Sequence, residues 1–223
     1  RIMKWISLGM FGLGIALLVI IAGPIALSQI SFFLSAKPKL IDPTATALNP
    51  VPFVADVLGI SSGADYTHAS NWFVNPVLPN ANVISNQVNY YTLSIPKIGI
   101  NDITIEIGGN DLARNAVQYP GTAVPGSYGN TVIFGHSTLP QLYKVGSPIS
   151  VFNYLPQVKV GDEIIVNYDG INYRYAVSET VEIHPDQIDI MIQRFDKHEI
   201  TLVTCVPLGT YLRRFVVRGE LVN

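Results

Sequence analysis

The sequence has very little cysteine and few charged residues. Its only cysteine, Cys205, excludes an intrachain disulfide framework and a zinc site built from several thiolates, but leaves a reactive thiol open. Charged residues make up 13% of the 223 residues, against about 25% in soluble domains. A formal net charge of −2 argues against a protein that follows nucleic-acid phosphates. The hydrophobic fraction of 48% is large enough for at least one buried core.

A long uncharged segment near the N-terminus accounts for much of the apolar excess. Residues 5–36 form 32 consecutive uncharged positions, and about 20 apolar residues are enough to cross a bilayer. A secretory signal has a shorter apolar region of roughly 7–15 residues, and Pro24 is expected to kink or end a helix. We therefore predict an uncleaved transmembrane helix within residues 1–36, best placed over residues 5–27. Cleavage after Ser28 is the alternative.

The charge distribution predicts which side of the membrane the remaining chain occupies. Basic residues flank both ends of the uncharged run, so the positive-inside rule alone does not decide. All 16 acidic residues lie at or beyond Asp42, whereas only 10 of the 14 basic residues do, so this part carries −6. A short N-terminal tail inside and a large domain outside is the simpler topology.

Residues 37–89 are typical of a linker. Six prolines interrupt any helix, and small polar residues separate them. Two apolar islands, Val51–Ile60 and Trp72–Leu78, argue against a plain spacer. They either pack on the following domain or cover part of it, so this region is predicted to be an extracellular linker or a possible lid.

Residues 90–223 have the pattern of short strands separated by turns, which predicts an all-β sandwich or barrel. Asp169-Gly170 is suited to a type I′ hairpin turn. Strands do not alternate with long helices along the sequence, which argues against a doubly wound fold. Asn110–Asn115 and Val151–Leu155 are candidate short helices. The expected strands are Tyr91–Pro96, Asp102–Ile107, Thr131–Phe134, Glu163–Tyr168, Ile171–Val177, Glu199–Thr204 and Phe215–Leu221.

Three chemically capable side chains lie at predicted strand ends. Cys205 ends a strand before a Pro- and Gly-containing loop, His136 follows Gly135, and Arg213-Arg214 opens the last strand. Each has an ordinary structural explanation, because buried thiols are usually inert, a single histidine is often only hydrogen-bonded, and paired arginines often protect a strand edge.

Taken in order, however, these residues resemble the sortases, a family of membrane-anchored cysteine transpeptidases. Thr201–Cys205 matches the family's Thr-Leu-x-Thr-Cys strand, and Gly135-His136 and the following arginine strand match in position. Further matched segments are residues 93–99, 120–126 and 129–137, so the similarity covers roughly residues 90–223. The resemblance implies a closed eight-stranded β-barrel with short helices as the catalytic domain, anchored through residues 1–36.

The resemblance also implies a role for each matched residue. Cys205 is expected to be the nucleophile, His136 the proton donor and acceptor, and Arg214 the cation over the scissile carbonyl. Arg214 is preferred because its spacing of nine from Cys205 matches the arginine strand of pilin-joining sortases. Arg213 is the runner-up, since adjacent strand residues point to opposite faces and only one of the pair can enter a groove.

By the same resemblance, the substrate is a C-terminal sorting signal of the Leu-Pro-x-Thr-Gly kind on surface proteins or pilins. It is joined to a peptidoglycan precursor or a pilin lysine at the bacterial cell membrane, on the extracellular side. Thr204 is expected to support the oxyanion site. Ile188, Ile190 and Ile192 could hold the Leu-Pro end, although a packed amphipathic turn explains them equally well. We predict no metal and no cofactor, although Glu106, Asp186 and Asp189 are of the residue type that binds calcium.

Two other classes of function stay open from the sequence. A hydrolytic cysteine peptidase would release its product to water rather than to an amine. A non-catalytic surface module on a sortase scaffold would form no thioester on Cys205.

Overall fold

The computed structural model describes residues 65–73 and 89–222, which form a closed eight-stranded β-barrel with short 3-10 helices. The strands are β1 (Tyr90–Ile95), β2 (Ile100–Ile107), β3 (Ala116–Gln118), β4 (Gly129–Phe134), β5 (Glu163–Tyr168), β6 (Ile171–Ile183), β7 (His198–Val206) and β8 (Arg213–Leu221). The 3-10 helices are η1 (Ala69–Asn71), η2 (Pro96–Ile98), η3 (Pro140–Leu142), η4 (Pro148–Ser150), η5 (Leu155–Gln157) and η6 (Ile188–Met191).

The strand order around the barrel is β1-β2-β3-β4-β7-β8-β6-β5, and β5 pairs back onto β1. Two pairs, β2–β3 and β4–β7, are parallel, and the remaining pairs are antiparallel. The prediction of an all-β, closed eight-stranded barrel with short helices is therefore confirmed for the described residues.

Alternation along the strands gives the barrel two apolar faces. On β7, Leu202 points into the barrel core while Val203 and Cys205 join a second cluster on the outer face. On β4, Ile133 and Phe134 divide in the same way. Because successive side chains point to opposite faces, these strands read as continuous apolar runs. A strand buried on both faces is expected where something covers the outside of the barrel.

All seven predicted strands are present, and the predicted hairpin is confirmed. Asp169 and Gly170 have φ values of 50° and 75°, as a type I′ turn requires at both central positions. The sequence interpretation missed β3, which has three residues and is too short to show a periodic pattern. It also ended β6 six residues early, because a bulge between Val177 and Glu179 interrupts the alternation.

Both predicted helices are wrong. Residues 110–115 form a turn in which Asp111 makes an isolated bridge with His68 and accepts a hydrogen bond from the Ala113 amide. Such local side-chain bonds compete with helix formation. Residues 151–154 are a turn between η4 and η5, and Leu155 is the first residue of η5. Each of these two 3-10 helices has a proline in its first two positions. Proline supplies no N–H to continue a helix.

The predicted transmembrane helix, residues 5–27, and most of the predicted linker lie outside the described residues. Within the part of the chain that is described, helices have only three or four residues, and none could cross a membrane.

Candidate active site

Cys205 and Arg214 form a directly opposed pair on the outer face of the barrel. The antiparallel register of β7 and β8 sets Cys205 against Arg214 and Val206 against Arg213. Directly opposed residues have Cβ atoms about 4.5–5.5 Å apart and point to the same face. Arg214 is 1% exposed and faces the outer cluster, whereas Arg213 is half-buried on the other face. The strand register therefore places Arg214, and not Arg213, beside Cys205 on the outer face.

His136 reaches the same row from the other side of Cys205. In the parallel pairing of β4 with β7, Phe134 lies opposite Val203, and the Gly135 amide donates to the Val203 carbonyl at 3.1 Å. Continuing this register by two residues brings His136 beside Cys205. The three side chains therefore come from β7, from β8 and from the turn directly after β4.

The backbone around His136 is held by several specific contacts. The His136 carbonyl accepts a hydrogen bond from the Phe152 amide at 3.0 Å. The hydroxyl of Thr204 donates to the Gly135 carbonyl at 2.9 Å, and Ser137 Oγ donates to the Cys205 carbonyl at 2.6 Å. Gly135 is required here, because a Cβ would lie 2.4 Å from the Phe152 ring. These contacts tie the histidine turn directly to the cysteine strand.

Arg214 is a buried cation whose donors are taken by main-chain oxygens. Its Nε and Nη2 donate to the Trp72 carbonyl at 3.1 and 2.6 Å, and its Nη1 donates to the carbonyls of Tyr211 and Arg213 at 2.9 and 3.3 Å. Among the described residues, no carboxylate lies within 4.0 Å of the guanidinium. A negative charge that develops beside Arg214 would therefore meet a positive charge that no carboxylate of the described residues neutralises.

Residues 65–73, which we call the covering segment, lie over this row of side chains. The Trp72 ring lies 5.6 Å from the His136 ring and 5.5 Å from the Phe134 ring, measured between centroids. The Arg214 Cζ atom lies 5.4 Å from the Trp72 ring centroid and 5.8 Å from that of Phe73. Trp72 is completely buried. The covering segment thus closes the outer face over all the candidate catalytic side chains.

The covering segment is fastened on two sides. The Ala69 amide donates to the Asn110 carbonyl at 3.0 Å, and the Leu112 amide donates to the Thr67 carbonyl at 2.8 Å. On the other side, the rings of Tyr66 and Tyr211 stack with centroids 4.2 Å apart. The Trp72 indole donates to the carbonyl of Tyr66, at 2.8 Å.

Burial keeps the thiol and the imidazole neutral in this closed arrangement. It raises the pKa of Cys205 to about 11, although the positive charge of Arg214 acts in the opposite direction. Burial also lowers the pKa of His136, against the weaker effect of Asp65 and Asp111. Because only a thiolate is a strong nucleophile, the closed site holds its cysteine in the unreactive form near pH 7.

The structure separates the predicted substrate-binding residues. Ile190, 5% exposed, and the half-buried Ile188 belong to the outer cluster with Cys205, whereas Ile192 is 57% exposed and lies apart from it. The Thr204 hydroxyl is engaged by Gly135 and does not face the groove side of β7, which carries Val203 and Cys205.

Sequence reasoning missed two contributors to this site. One is the main-chain carbonyl of Trp72, which could not be recognised from the sequence because every residue has such a carbonyl. The other is Tyr211, which stacks on Tyr66 of the covering segment. The aromatic island at Trp72 and Phe73 was the available signal for the covering segment. Within residues 65–73 and 89–222, no group of three or more His, Cys, Asp or Glu side chains is arranged to hold a metal ion.

Comparison with known proteins gives a consistent result. A family model described as the sortase domain matches residues 93–222. A protein named sortase A from Bacillus anthracis is 37% identical over 96 residues, which cover 43% of this chain and 41% of that protein. The chain thus spans less than half of this curated relative.

Solved structures agree with this match. A Clostridium perfringens sortase D5 transpeptidase has a TM-score of 0.52 and 28% identity, covering 62% of this chain and 81% of that one. A sortase A lid mutant from Corynebacterium diphtheriae has a TM-score of 0.53 and 27% identity, covering 61% and 71%. Because the similar proteins carry different subclass names, these comparisons assign a family and leave the subclass unresolved.

The burial of Cys205 leads to a prediction about its alkylation. In the full chain, we expect the rate of reaction with iodoacetamide to rise with pH toward a midpoint near 11. Trp72→Ala should lower that midpoint, because removing the indole lets water reach the thiolate while Arg214 stays in place. Mass spectrometry of the alkylated protein across pH measures this. Tyr90→Ala, which removes an exposed aromatic ring elsewhere, is the control; an unchanged midpoint in Trp72→Ala would contradict the prediction.

Proposed function

Since the chain belongs to the sortase family, we propose that it is a transpeptidase that cleaves a Leu-Pro-x-Thr-Gly-like sorting signal and joins the new acyl end to an amine. The observation that carries this proposal is the row of His136, Cys205 and Arg214 on one barrel face, with His136 directly after β4 and the other two residues on β7 and β8. A nucleophile, a group able to transfer protons and a fixed cation are what amide cleavage through a thioester requires.

The first half of the reaction would form an acyl-enzyme. The Cys205 thiolate attacks the carbonyl carbon of the threonine residue, and the oxygen gains a negative charge. Arg214 is suited to stabilise this oxyanion, because its guanidinium is permanently charged and presents a planar set of donors. His136, in its protonated form, donates a proton to the leaving amine. The peptide C–N bond then breaks and leaves a thioester on Cys205.

The second half would transfer the acyl group. His136 is now neutral and accepts a proton from an incoming amine, which attacks the thioester and releases the thiolate. The amine comes from a peptidoglycan precursor or from a pilin lysine, the two acceptors that sortases use. Surface proteins or pilins that carry the signal are therefore the proposed partners.

The covering segment would have to move before a substrate binds. In the closed site, the Trp72 carbonyl accepts two hydrogen bonds from Arg214, which is the interaction expected for the scissile carbonyl of a sorting signal. Trp72 and Phe73 also fill the apolar cluster next to Cys205. We infer that residues 65–73 act as an inhibitory lid that competes with the substrate for Arg214. A similar protein has been described as a lid mutant, which supports this reading.

The uncharged run at residues 5–36 supports a further proposal about location. We propose that it anchors the chain as a single-pass protein of the bacterial cell membrane, with residues 90–223 outside the cell. A tethered enzyme on that side would meet exported proteins that carry a sorting signal.

The catalytic proposal predicts a covalent intermediate and an amine-joined product. The full chain is incubated with a panel of Leu-Pro-x-Thr-Gly peptides and triglycine, and its mass is followed. We expect an acyl adduct on Cys205 and a triglycine-joined peptide. Arg214→Ala should lower kcat/KM by about 10²–10³-fold, as for the loss of an oxyanion donor, and Arg214→Lys should recover only part of this because lysine lacks the planar fork.

Arg213→Ala is the matched control, because Arg213 lies next to Arg214 but faces away from Cys205. Its kcat/KM should stay within about twofold of the wild-type value, as for most surface substitutions. Hydrolysis that added amines do not change would indicate a cysteine peptidase instead. No adduct with any peptide, together with normal folding of Cys205→Ala, would indicate a non-catalytic module.

The lid proposal predicts a gain of activity. If the open form is a minor state of about 0.1–10%, opening it fully would raise kcat/KM by about 10- to 1,000-fold. Trp72→Ala in the full chain is therefore expected to cleave a sorting peptide faster than the wild type, with Tyr90→Ala as the control. Equal or lower kcat/KM in a well-folded Trp72→Ala protein would refute the inhibitory role.

The anchoring proposal predicts that the full chain stays in the membrane fraction after a carbonate wash at high pH. Protease added outside intact cells should degrade the domain that contains Cys205. Introducing two arginines, at Leu17 and Leu18, should release the chain from the membrane, because each costs about 2.5–3.5 kcal/mol at the centre of a span. Recovery of the unaltered chain in the soluble fraction would rule out the anchor.

A further inference from the structure

The loop between β6 and β7, residues 184–197, forms one apolar side of the candidate site. Its 3-10 helix η6 contributes Ile190, which is 5% exposed and belongs to the same cluster as Cys205, Trp72 and Phe73. When the covering segment leaves, Ile190 would remain as a wall of the opened groove. The position of η6 therefore determines how deep that groove is.

One side chain, Gln193, connects this loop to two other parts of the barrel. Its Oε1 accepts hydrogen bonds from the amides of Ala123 and Asn130, at 3.2 and 3.0 Å. Its Nε2 donates to the carbonyls of Asn130 and Met191, at 2.9 and 3.2 Å. All four bonds go to main-chain groups, so the carboxamide uses its full hydrogen-bonding capacity to fix backbone.

Asn130, at the start of β4, completes the connection. It is 1% exposed, and its Nδ2 donates to the Ile190 carbonyl at 2.8 Å. Its Oδ1 accepts a hydrogen bond from the Thr201 hydroxyl at 2.8 Å, on the strand that carries Cys205. The two carboxamides thus hold consecutive carbonyls of η6, those of Ile190 and Met191.

The backbone leaves room for this arrangement at Gly129. Its φ is +120°, and a Cβ there would lie 2.9 Å from Gln193 Oε1. Only glycine fits this close approach without displacing the Gln193 carboxamide. The close contact between Gln193 and the start of β4 therefore depends on glycine at position 129.

We propose that Gln193 and Asn130 are positioning residues that set the depth of the η6 wall and so the preference for a branched aliphatic residue in the sorting signal. The inference rests on the proposed transpeptidase function. Neither side chain belongs to the outer cluster or to the His136–Cys205–Arg214 row, so each acts through Ile190. Without the Gln193 bonds, η6 can retreat from β4, and a pocket with a loose wall distinguishes side-chain size poorly.

The test compares two peptides, Leu-Pro-Ala-Thr-Gly and Ala-Pro-Ala-Thr-Gly, in triglycine transfer by the full chain. The ratio of their kcat/KM values is the readout, because lid opening is common to both peptides and cancels. The wild type is expected to favour the leucine peptide by about 10- to 150-fold, as for the burial of a leucine side chain. Gln193→Ala removes all four hydrogen bonds of the carboxamide. It should reduce this ratio by about tenfold, mainly through KM, with kcat within about threefold, which is the free-energy equivalent of one or two net hydrogen bonds acting on the position of η6.

Gln187→Ala is the matched control, since Gln187 is a glutamine of the same loop. Its side chain accepts a hydrogen bond from the nearby His184 amide and, among residues 65–73 and 89–222, makes no other. It should keep the wild-type ratio. Gln193→Met preserves the length of the side chain but removes its hydrogen bonds. It should lower the ratio as Gln193→Ala does, which would show that the hydrogen bonds, and not the volume of the side chain, cause the effect.

Two failures of this test are distinct. If neither the wild type nor Trp72→Ala, in which the lid is expected to be open, acylates either peptide, the proposed function itself is refuted, and the inference falls with it. If the wild type transfers the leucine peptide but Gln193→Ala loses activity equally on both peptides, or loses none, the positioning role is overturned while the proposed function stands. The thermal midpoint of each variant identifies an equal loss as destabilisation of the fold.

Discussion

The burial of the Arg214 guanidinium is the constraint on which the rest of the site depends. A charge removed from water is costly unless other groups compensate it, and here the compensation comes from three main-chain carbonyls and two aromatic rings. One of those carbonyls and both rings belong to the covering segment. The same cation that would stabilise a reaction oxyanion therefore stabilises the closed state, and substrate and lid are expected to compete for one set of donors.

The barrel makes this arrangement rigid through shared strands. The side chains of β4, β7 and β8 that point inward form the main core, and their immediate neighbours line the groove. A shift of one residue in any of these strands would exchange the two faces, so the packed core holds Cys205 and Arg214 in register. Hydrogen bonds from Thr204 to Gly135, and from Asn130 and Gln193 to η6, extend this rigidity to the turns around the groove.

Parts of the fold and of the candidate site could be predicted from the sequence, and other parts could not. The strands of the β5–β6 hairpin follow from period-two alternation and turn chemistry, which are local properties. The choice of Arg214 over Arg213 came from the family resemblance, and the opposition of Cys205 to Arg214 is a register between β7 and β8 that the structure shows. The two predicted helices failed because Asp111 and the prolines at 148 and 156 favour turns. Gln193 gave no signal at all, since its four partners are main-chain groups that any residue type could supply.

The sequence by itself determined the strand alternation, the order of the matched segments and the choice of Cys205, His136 and Arg214 as candidates. These depend on residue type and on spacing along the chain. Only the tertiary structure decided that residues 65–73 cover the groove, that the Trp72 carbonyl meets Arg214, and that burial raises the pKa of Cys205 to about 11. The reason is physical: solvation and main-chain contacts arise when distant segments pack together, and no short stretch of sequence encodes them.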